Sequence, residues 1–214
     1  MPSHLWNRPE GPARATLLLA HGAGAPMDTA FMTGFAERAA ARGIAVARFE
    51  FAYMAGRRED GRKRPPPRAD KLIGEFEAAL EAIRREAVAP LLVGGKSMGG
   101  RVAAMLAGTD AAIETGVKGV VCLGYPFHPP GKPEKTRLEP LRKLKCPALI
   151  CQGERDPFGG REEVAGYEFG PPVTLRWMTD GNHDLAPRKA AGTTSEATLD
   201  IAAEALAEFA MGLA

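Results

Sequence analysis

Gly95-Lys96-Ser97-Met98-Gly99 places a serine two residues from a glycine on either side. The apolar run Leu91-Leu92-Val93 precedes it, and a helix-like stretch, Arg101 to Ala107, follows. A Gly-x-Ser-x-Gly between strand and helix puts the serine on a tight, strained turn at the top of a sheet. The glycines let strand and helix approach without Cβ clashes, and the hydroxyl points into open space. The chemistry this serves is nucleophilic attack. A serine hydroxyl needs a base to take its proton, and the base needs an acid to orient it. A phosphate-binding loop is the competing reading, because Gly95-Lys96-Ser97 matches the end of G-x-x-x-x-G-K-[ST]. That pattern requires glycine at position 90, where this chain has Pro90, and Leu91–Val93 reads as buried strand rather than phosphate-wrapping loop.

The chain has four histidines: His4, His21, His128 and His183. His183 lies in the turn-rich Asp180-Gly181-Asn182-His183-Asp184, just after the strand-like Val173–Trp177. Asp156 lies in Gly153-Glu154-Arg155-Asp156-Pro157, just after another strand-like run, Ala148–Cys151. Both therefore fall at the carboxyl ends of strands, where open α/β sheets build their sites. Asp180 and Asp184 are rival acids, but sequence neighbours of a histidine rarely point at its ring, so Asp156 is the expected partner. A further strand-like run, Leu17–Ala20, leads into His21-Gly22-Ala23-Gly24. This glycine-rich loop can present backbone N–H groups to a developing negative charge. Ala23 is one expected donor, and Met98, the residue after the serine, is the other. His21 is read as structural within that loop.

With the order Ser97, Asp156, His183 the chain resembles the α/β-hydrolase superfamily, in which nucleophile, acid and base follow one another this way. It is more closely similar to small lidless members, the dienelactone-hydrolase-like and KANL3/Tex30-like groups. The carrying residues are His21–Gly24, Arg57–Arg68 with Pro65-Pro66-Pro67, Gly95–Arg101, Gly153–Gly159 and Asn182–Asp184. The likeness extends from about position 15 to 210. It implies the fold and a Ser-His-Asp triad, and with these residues the expected activity is hydrolysis of a carboxylic ester or thioester through an acyl-enzyme, without a cofactor. It does not imply a substrate. Dienelactone hydrolases use a cysteine nucleophile, so this chain departs from them at Ser97. The alternative is an interaction domain that keeps the hydrolase fold without catalysis.

These residues need a scaffold, and the hydrophobic pattern supplies one. Strands are expected at Thr16–Ala20, Ala45–Phe51, Leu91–Gly94, Val117–Leu123, Ala148–Gln152 and Val173–Met178. Helices are expected at Thr29–Arg42, Asp70–Ala87, Gly99–Gly108, near Glu162–Tyr167, and at Ser195–Met211 with Thr193 and Glu196 at capping-box spacing. Apolar strands alternating with amphipathic helices predict an α/β fold, a mostly parallel central sheet with helices on both faces. The whole chain, 1–214, is expected to form one such domain. Between the strands ending at Leu123 and beginning at Ala148 lies only a proline-rich stretch, too short for a cap domain, so an open pocket and a small or polymer-attached soluble substrate are expected.

A net charge of +2 gives no basis for nucleic-acid or membrane binding. No apolar run is long enough to span a bilayer, and the N-terminal residues lack a signal-peptide core. The three cysteines read as buried, reduced residues of a cytoplasmic protein. No His/Cys/carboxylate cluster has metal spacing. The basic stretch Met54–Arg68 reads as a loop on the catalytic side. It is either solvated surface or an anion-recognising rim carrying Arg57 and Arg58, which would favour acidic esters or acyl groups on a phosphorylated carrier. His128 follows a strand and is a further rim candidate, with a plain loop position as the alternative.

Overall fold

The computed structural model describes residues 4–170 and 172–213. Seven strands form one sheet in the order β1-β3-β2-β4-β5-β6-β7. They are β1 (Leu5–Asn7), β2 (Ala15–Ala20), β3 (Ile44–Phe49), β4 (Leu91–Lys96), β5 (Val117–Leu123), β6 (Ala148–Gly153) and β7 (Val173–Met178). Only β1 runs antiparallel, along β3; the other pairs are parallel. The helices are α1 (Ala30–Ala41), α2 (Ala52–Asp60), α3 (Ile73–Ile83), α4 (Met98–Ala107), α5 (Asp110–Glu114), α6 (Glu139–Arg142), α7 (Arg161–Val164) and α8 (Ser195–Met211). This is the mostly parallel α/β sheet expected, with helices on both faces. Among the described residues no cap domain interrupts it.

Strand side chains alternate between two cores, the period-2 consequence of the pleat. Leu18, Phe49, Val93, Val120 and Ile150 face the layer that holds Phe76 and Leu80 of α3 and Val102 of α4. Leu17, Leu19, Val46, Leu92 and Val121 face Phe35 of α1 and Leu206 of α8. Because both faces are covered, every residue of β2, β3, β4 and β6 is buried. Cys122, Cys146 and Cys151 are buried and unpaired. Burial pushes the Cys146 thiol up to about 11 and the Cys151 thiol up to about 12. Phe76 is fully buried and meets Phe49 edge-on at 4.9 Å between ring centres. Truncating such a ring leaves a cavity that the layer cannot refill. Phe76→Ala is therefore expected to destabilise the fold by about 3–5 kcal/mol, read from the urea midpoint. A shift equivalent to less than about 1 kcal/mol would mean this layer repacks freely.

Several expectations change. The strand predicted over Ala45–Phe51 ends at Phe49, and Phe51 is instead the N-cap residue of α2. Half of the expected basic loop is this helix, which stops at Gly61 with φ +70°. Only Met54 of α2 is buried, so no apolar stripe advertised it. The helix predicted over Asp70–Ala87 opens with a 3-10 turn, Ala69–Leu72, and α3 stops at Ile83. The final helix is capped by Thr194, not Thr193: its side chain accepts from the Ala197 N–H at 3.2 Å. That places Glu196 one position early for a capping box. Strand β1 was not anticipated, being three residues long.

Paired registers bring the sheet's carboxyl ends level. Ala20 lies opposite Gly95, Lys96 opposite Leu123, and Leu123 opposite Cys151. The loops after β2, β4, β6 and β7 therefore emerge along one edge. These are the loops that carry Ala23, Ser97, Asp156 and His183.

Candidate active site

Ser97 sits between β4 and α4 with φ 51° and ψ −113°, a left-handed conformation rare for a residue with a side chain. Its N–H donates to the Leu123 carbonyl and its own carbonyl accepts from the Arg101 N–H, each at 3.0 Å. The turn is possible because strand and helix nearly touch. A Cβ on Gly99 would lie 2.6 Å from the His21 carbonyl oxygen, and one on Gly95 would lie 2.6 Å from the Gly100 nitrogen. Both glycines are thus required by close approach.

His183 Nε2 lies 2.8 Å from Ser97 Oγ, and His183 Nδ1 lies 2.8 Å from Asp156 Oδ2. A carboxylate oxygen only accepts, so Nδ1 carries the proton and Nε2 is left to accept from the serine hydroxyl. Asp156 is 3% exposed. Its Oδ2 also accepts from Gln152 Nε2 at 2.9 Å, and its Oδ1 accepts from the Phe158 N–H at 2.8 Å. The Phe158 ring stacks on the His183 ring at 4.1 Å between centres. The rival acids are engaged elsewhere. Asp184 pairs with Lys96 at 3.2 Å. Asp180 pairs with Arg155 and Arg188, and the Arg188 guanidinium holds its carboxyl down at about 2.

The loop after β2 is set by His21, which is fully buried. Its Nε2 accepts from the Phe51 N–H at 3.2 Å, so its Nδ1 carries the hydrogen and donates to the Gly22 carbonyl at 2.6 Å. Burial lowers the His21 pKa, which keeps the ring neutral and this tautomer in place. With the Gly22 carbonyl turned to His21, the trans peptide aims the Ala23 N–H the opposite way. Tyr53 Oη donates to the Ala23 carbonyl at 2.9 Å and holds the next peptide. Neither the Ala23 nor the Met98 N–H meets a protein acceptor among the described residues. Met98 is the first residue of α4, where N–H groups have no partner within the helix.

Ser97 borders two lobes. One, of about 440 Å³, runs past His183, Lys96, Phe31 and Met32. The other, of about 320 Å³, lies over Met98, Pro126 and Phe158. The rim candidates do not line either. Arg58 binds Glu50 through two nitrogens, at 2.6 and 2.7 Å, and also Asp28 at 2.8 Å. Arg57 lines a neighbouring cavity of about 240 Å³ with Tyr53, Lys63 and Arg64, sharing Ala23 with the two lobes. His128 is 4% exposed and turned inward: its Nε2 meets Glu163 at 3.0 Å and its Nδ1 the Pro129 carbonyl at 2.7 Å. These two contacts hold the ring away from the cavity despite its place after β5. No cluster of three or more His, Cys, Asp or Glu side chains among the described residues is placed to hold a metal ion.

Lys96 is the residue whose part the motif concealed. Its Nζ donates to the His183 carbonyl at 2.7 Å and lies 5.5 Å from the Phe31 ring centre. Burial lowers its pKa, against the pull of Asp184. Lys96 thus ties the histidine loop to the strand that carries the serine. Lys96→Met is expected to lower kcat roughly 10–100-fold through loss of alignment, measured on a neutral ester with KM followed separately. A loss confined to KM would assign Lys96 to substrate binding instead.

A strained serine between strand and helix, a histidine bridging it to a buried carboxylate, and a parallel sheet beneath them together define an α/β-hydrolase architecture. The alpha/beta hydrolase domain family matches residues 13–211, and the chain belongs to that family. Solved structures are similar across nearly the whole chain. An alpha-beta serine hydrolase homologue from Coxiella burnetii is 18% identical, with a TM-score of 0.69 over 96% of this chain and 90% of that one. An a/b serine hydrolase without lid from Xanthomonas campestris is 17% identical, with a TM-score of 0.67 over 98% and 95%. A dienelactone hydrolase from Anabaena variabilis is 20% identical, with a TM-score of 0.68 over 99% and 98%. No helix among the described residues is long and apolar enough to cross a membrane.

Proposed function

We propose that this protein is a serine hydrolase that cleaves a carboxylic ester or thioester of a small molecule through an acyl-enzyme. The observation that carries this reading is the unbroken relay from Ser97 Oγ through His183 to Asp156, with both contacts at 2.8 Å. His183 Nε2 takes the hydroxyl proton as Ser97 Oγ bonds to the carbonyl carbon. Asp156 keeps the ring in the tautomer that leaves Nε2 free and stabilises the imidazolium that forms. The Ala23 and Met98 N–H groups, without an acceptor among the described residues, receive the negative charge on the carbonyl oxygen. His183 then returns the proton to the leaving oxygen or sulfur. Water, deprotonated by the same nitrogen, releases the acid.

The test is covalent labelling by a fluorophosphonate, run beside a panel of p-nitrophenyl esters and acyl thioesters. The wild-type protein is expected to label at one serine and to turn over at least one short acyl substrate. A protein that neither labels nor turns over would be the non-catalytic interaction domain.

A further inference from the structure

The hydrolase reading above underlies this inference, which adds the chemistry of the acyl group. The 320 Å³ lobe beside Ser97 is bordered by Arg68, Arg101 and Arg137 and by no aspartate or glutamate. Arg101 lies in the first turn of α4, within the turn that begins at Ser97. Arg137 comes from the loop after β5. Its N–H donates to the Phe127 carbonyl at 2.6 Å, and its carbonyl accepts from the Tyr125 hydroxyl at 2.8 Å. The backbone under each guanidinium is therefore fixed. Both side chains are partly buried. Among the described residues neither forms an ion pair or a side-chain hydrogen bond, and Nε of Arg101 is buried without an acceptor. Arg58, Arg64, Arg155, Arg161 and Arg188 each have a carboxylate partner. Burial and the neighbouring Arg101 hold the Arg137 guanidinium below the usual arginine range. Two like charges held together, partly desolvated and without a protein anion, are costly unless something negative lies between them. Arg68, paired with Asp70 at 3.2 Å, adds a third cation at the rim.

The two lobes have different neighbours. His183 borders only the 440 Å³ lobe. The leaving group receives its proton from His183 and so departs on that side, which leaves the arginine lobe for the acyl chain. We propose that Arg101 and Arg137 bind a carboxylate at the far end of the acyl group, so that the substrate is a monoester of a short dicarboxylic acid. Planar guanidinium forks match a carboxylate through paired hydrogen bonds. In the reaction Ser97 Oγ bonds to the ester carbon and the alcohol leaves with the serine's proton. Water then restores Ser97, and the second carboxylic acid ionises. The anion preference expected of the Arg57–Arg68 stretch is thereby reassigned to two arginines outside it.

The test compares monomethyl glutarate with its ω-amide, which has the same shape without the charge, by methanol release. The acid is expected to be preferred about 10–100-fold in kcat/KM, chiefly through KM, and less so at high salt. Arg101→Met and Arg137→Met should each bring the ratio towards one. Glutarate binding to Ser97→Ala, measured by calorimetry against butyrate, gives a readout independent of turnover. Glutarate should bind at least about 10-fold more tightly than butyrate, and either arginine substitution in that background should remove the difference. A labelled, active enzyme with no acid preference would overturn this proposal and leave the hydrolase reading standing. A preference that survives both substitutions would overturn the assignment to these arginines. If Ser97 fails to label, the hydrolase reading falls, and the calorimetry still decides the anion site. Equal affinities for glutarate and butyrate there would overturn it.

Discussion

Ser97→Ala is expected to abolish fluorophosphonate labelling and to lower kcat on the order of 10⁶-fold, the loss seen when the nucleophile of such a unit is removed. The substitution takes away one oxygen atom, the atom 2.8 Å from His183 Nε2. Among the described residues no other hydroxyl on this lobe is placed to take over. Thr29 is the other hydroxyl residue on the His183 lobe, and its Oγ1 accepts from the Met32 N–H as the cap of α1. The fold should be retained, because alanine removes only the hydroxyl from the turn. Removal of that hydroxyl also frees Ser97 from its role without relieving φ 51°, so little stability should change. The measurement is intact-protein mass after probe treatment, together with burst kinetics on a p-nitrophenyl ester. Labelling that persists in the variant would place the reactive residue elsewhere and sink the proposed mechanism.

Asp156→Asn should lower kcat by roughly 10⁴-fold while leaving the structure intact. The reason is a proton. An asparagine that offers its amide hydrogen to His183 Nδ1 favours the tautomer with hydrogen on Nε2, which cannot accept from Ser97. The Gln152 and Phe158 donors both require an acceptor at position 156 and can be satisfied by only one amide oxygen. A modest stability loss should therefore accompany the kinetic one. Asp184→Asn should cost far less, because Asp184 is largely exposed and touches Lys96 rather than the ring. Steady-state kinetics on one neutral ester across both variants checks this. If Asp184→Asn proved the more damaging, Asp156 would be reduced to a structural carboxylate and the relay would need redrawing.

The turn that carries Ser97 was legible because its causes are local. A serine forced to positive φ between a strand and a helix needs bare Cα positions two residues away on each side, and Gly95 and Gly99 supply them within five residues. The buried strands were equally legible, since a strand covered on both faces is apolar throughout. The order Ser97, Asp156, His183 followed once each was seen to trail a strand. Element ends were less legible. The short strand β1 is held by its pairing with β3, and α2 buries only Met54, so neither carried a strong period of its own.

Side-chain partnership across the fold was decided by the tertiary structure alone. Sequence placed Asp156, Asp180 and Asp184 all near a histidine or a strand end. Only the packing of the β6 and β7 loops showed which oxygen meets the ring, and that Arg155 and Arg188 occupy Asp180. Charge composition left the Arg57–Arg68 stretch open as solvated surface or anion rim, and in the fold Arg58 is neutralised by Glu50 and Asp28, residues outside the stretch. Arg101 closes the Gly95–Arg101 motif and Arg137 lies in the basic stretch 132–145, but nothing in the sequence paired them, since they belong to different elements. A guanidinium sits at the end of a long, flexible side chain, so its partner depends on packing at both ends of the contact. Backbone turns and apolar periods are dictated by neighbours in sequence, whereas ion pairs and the cavities they border are dictated by neighbours in space.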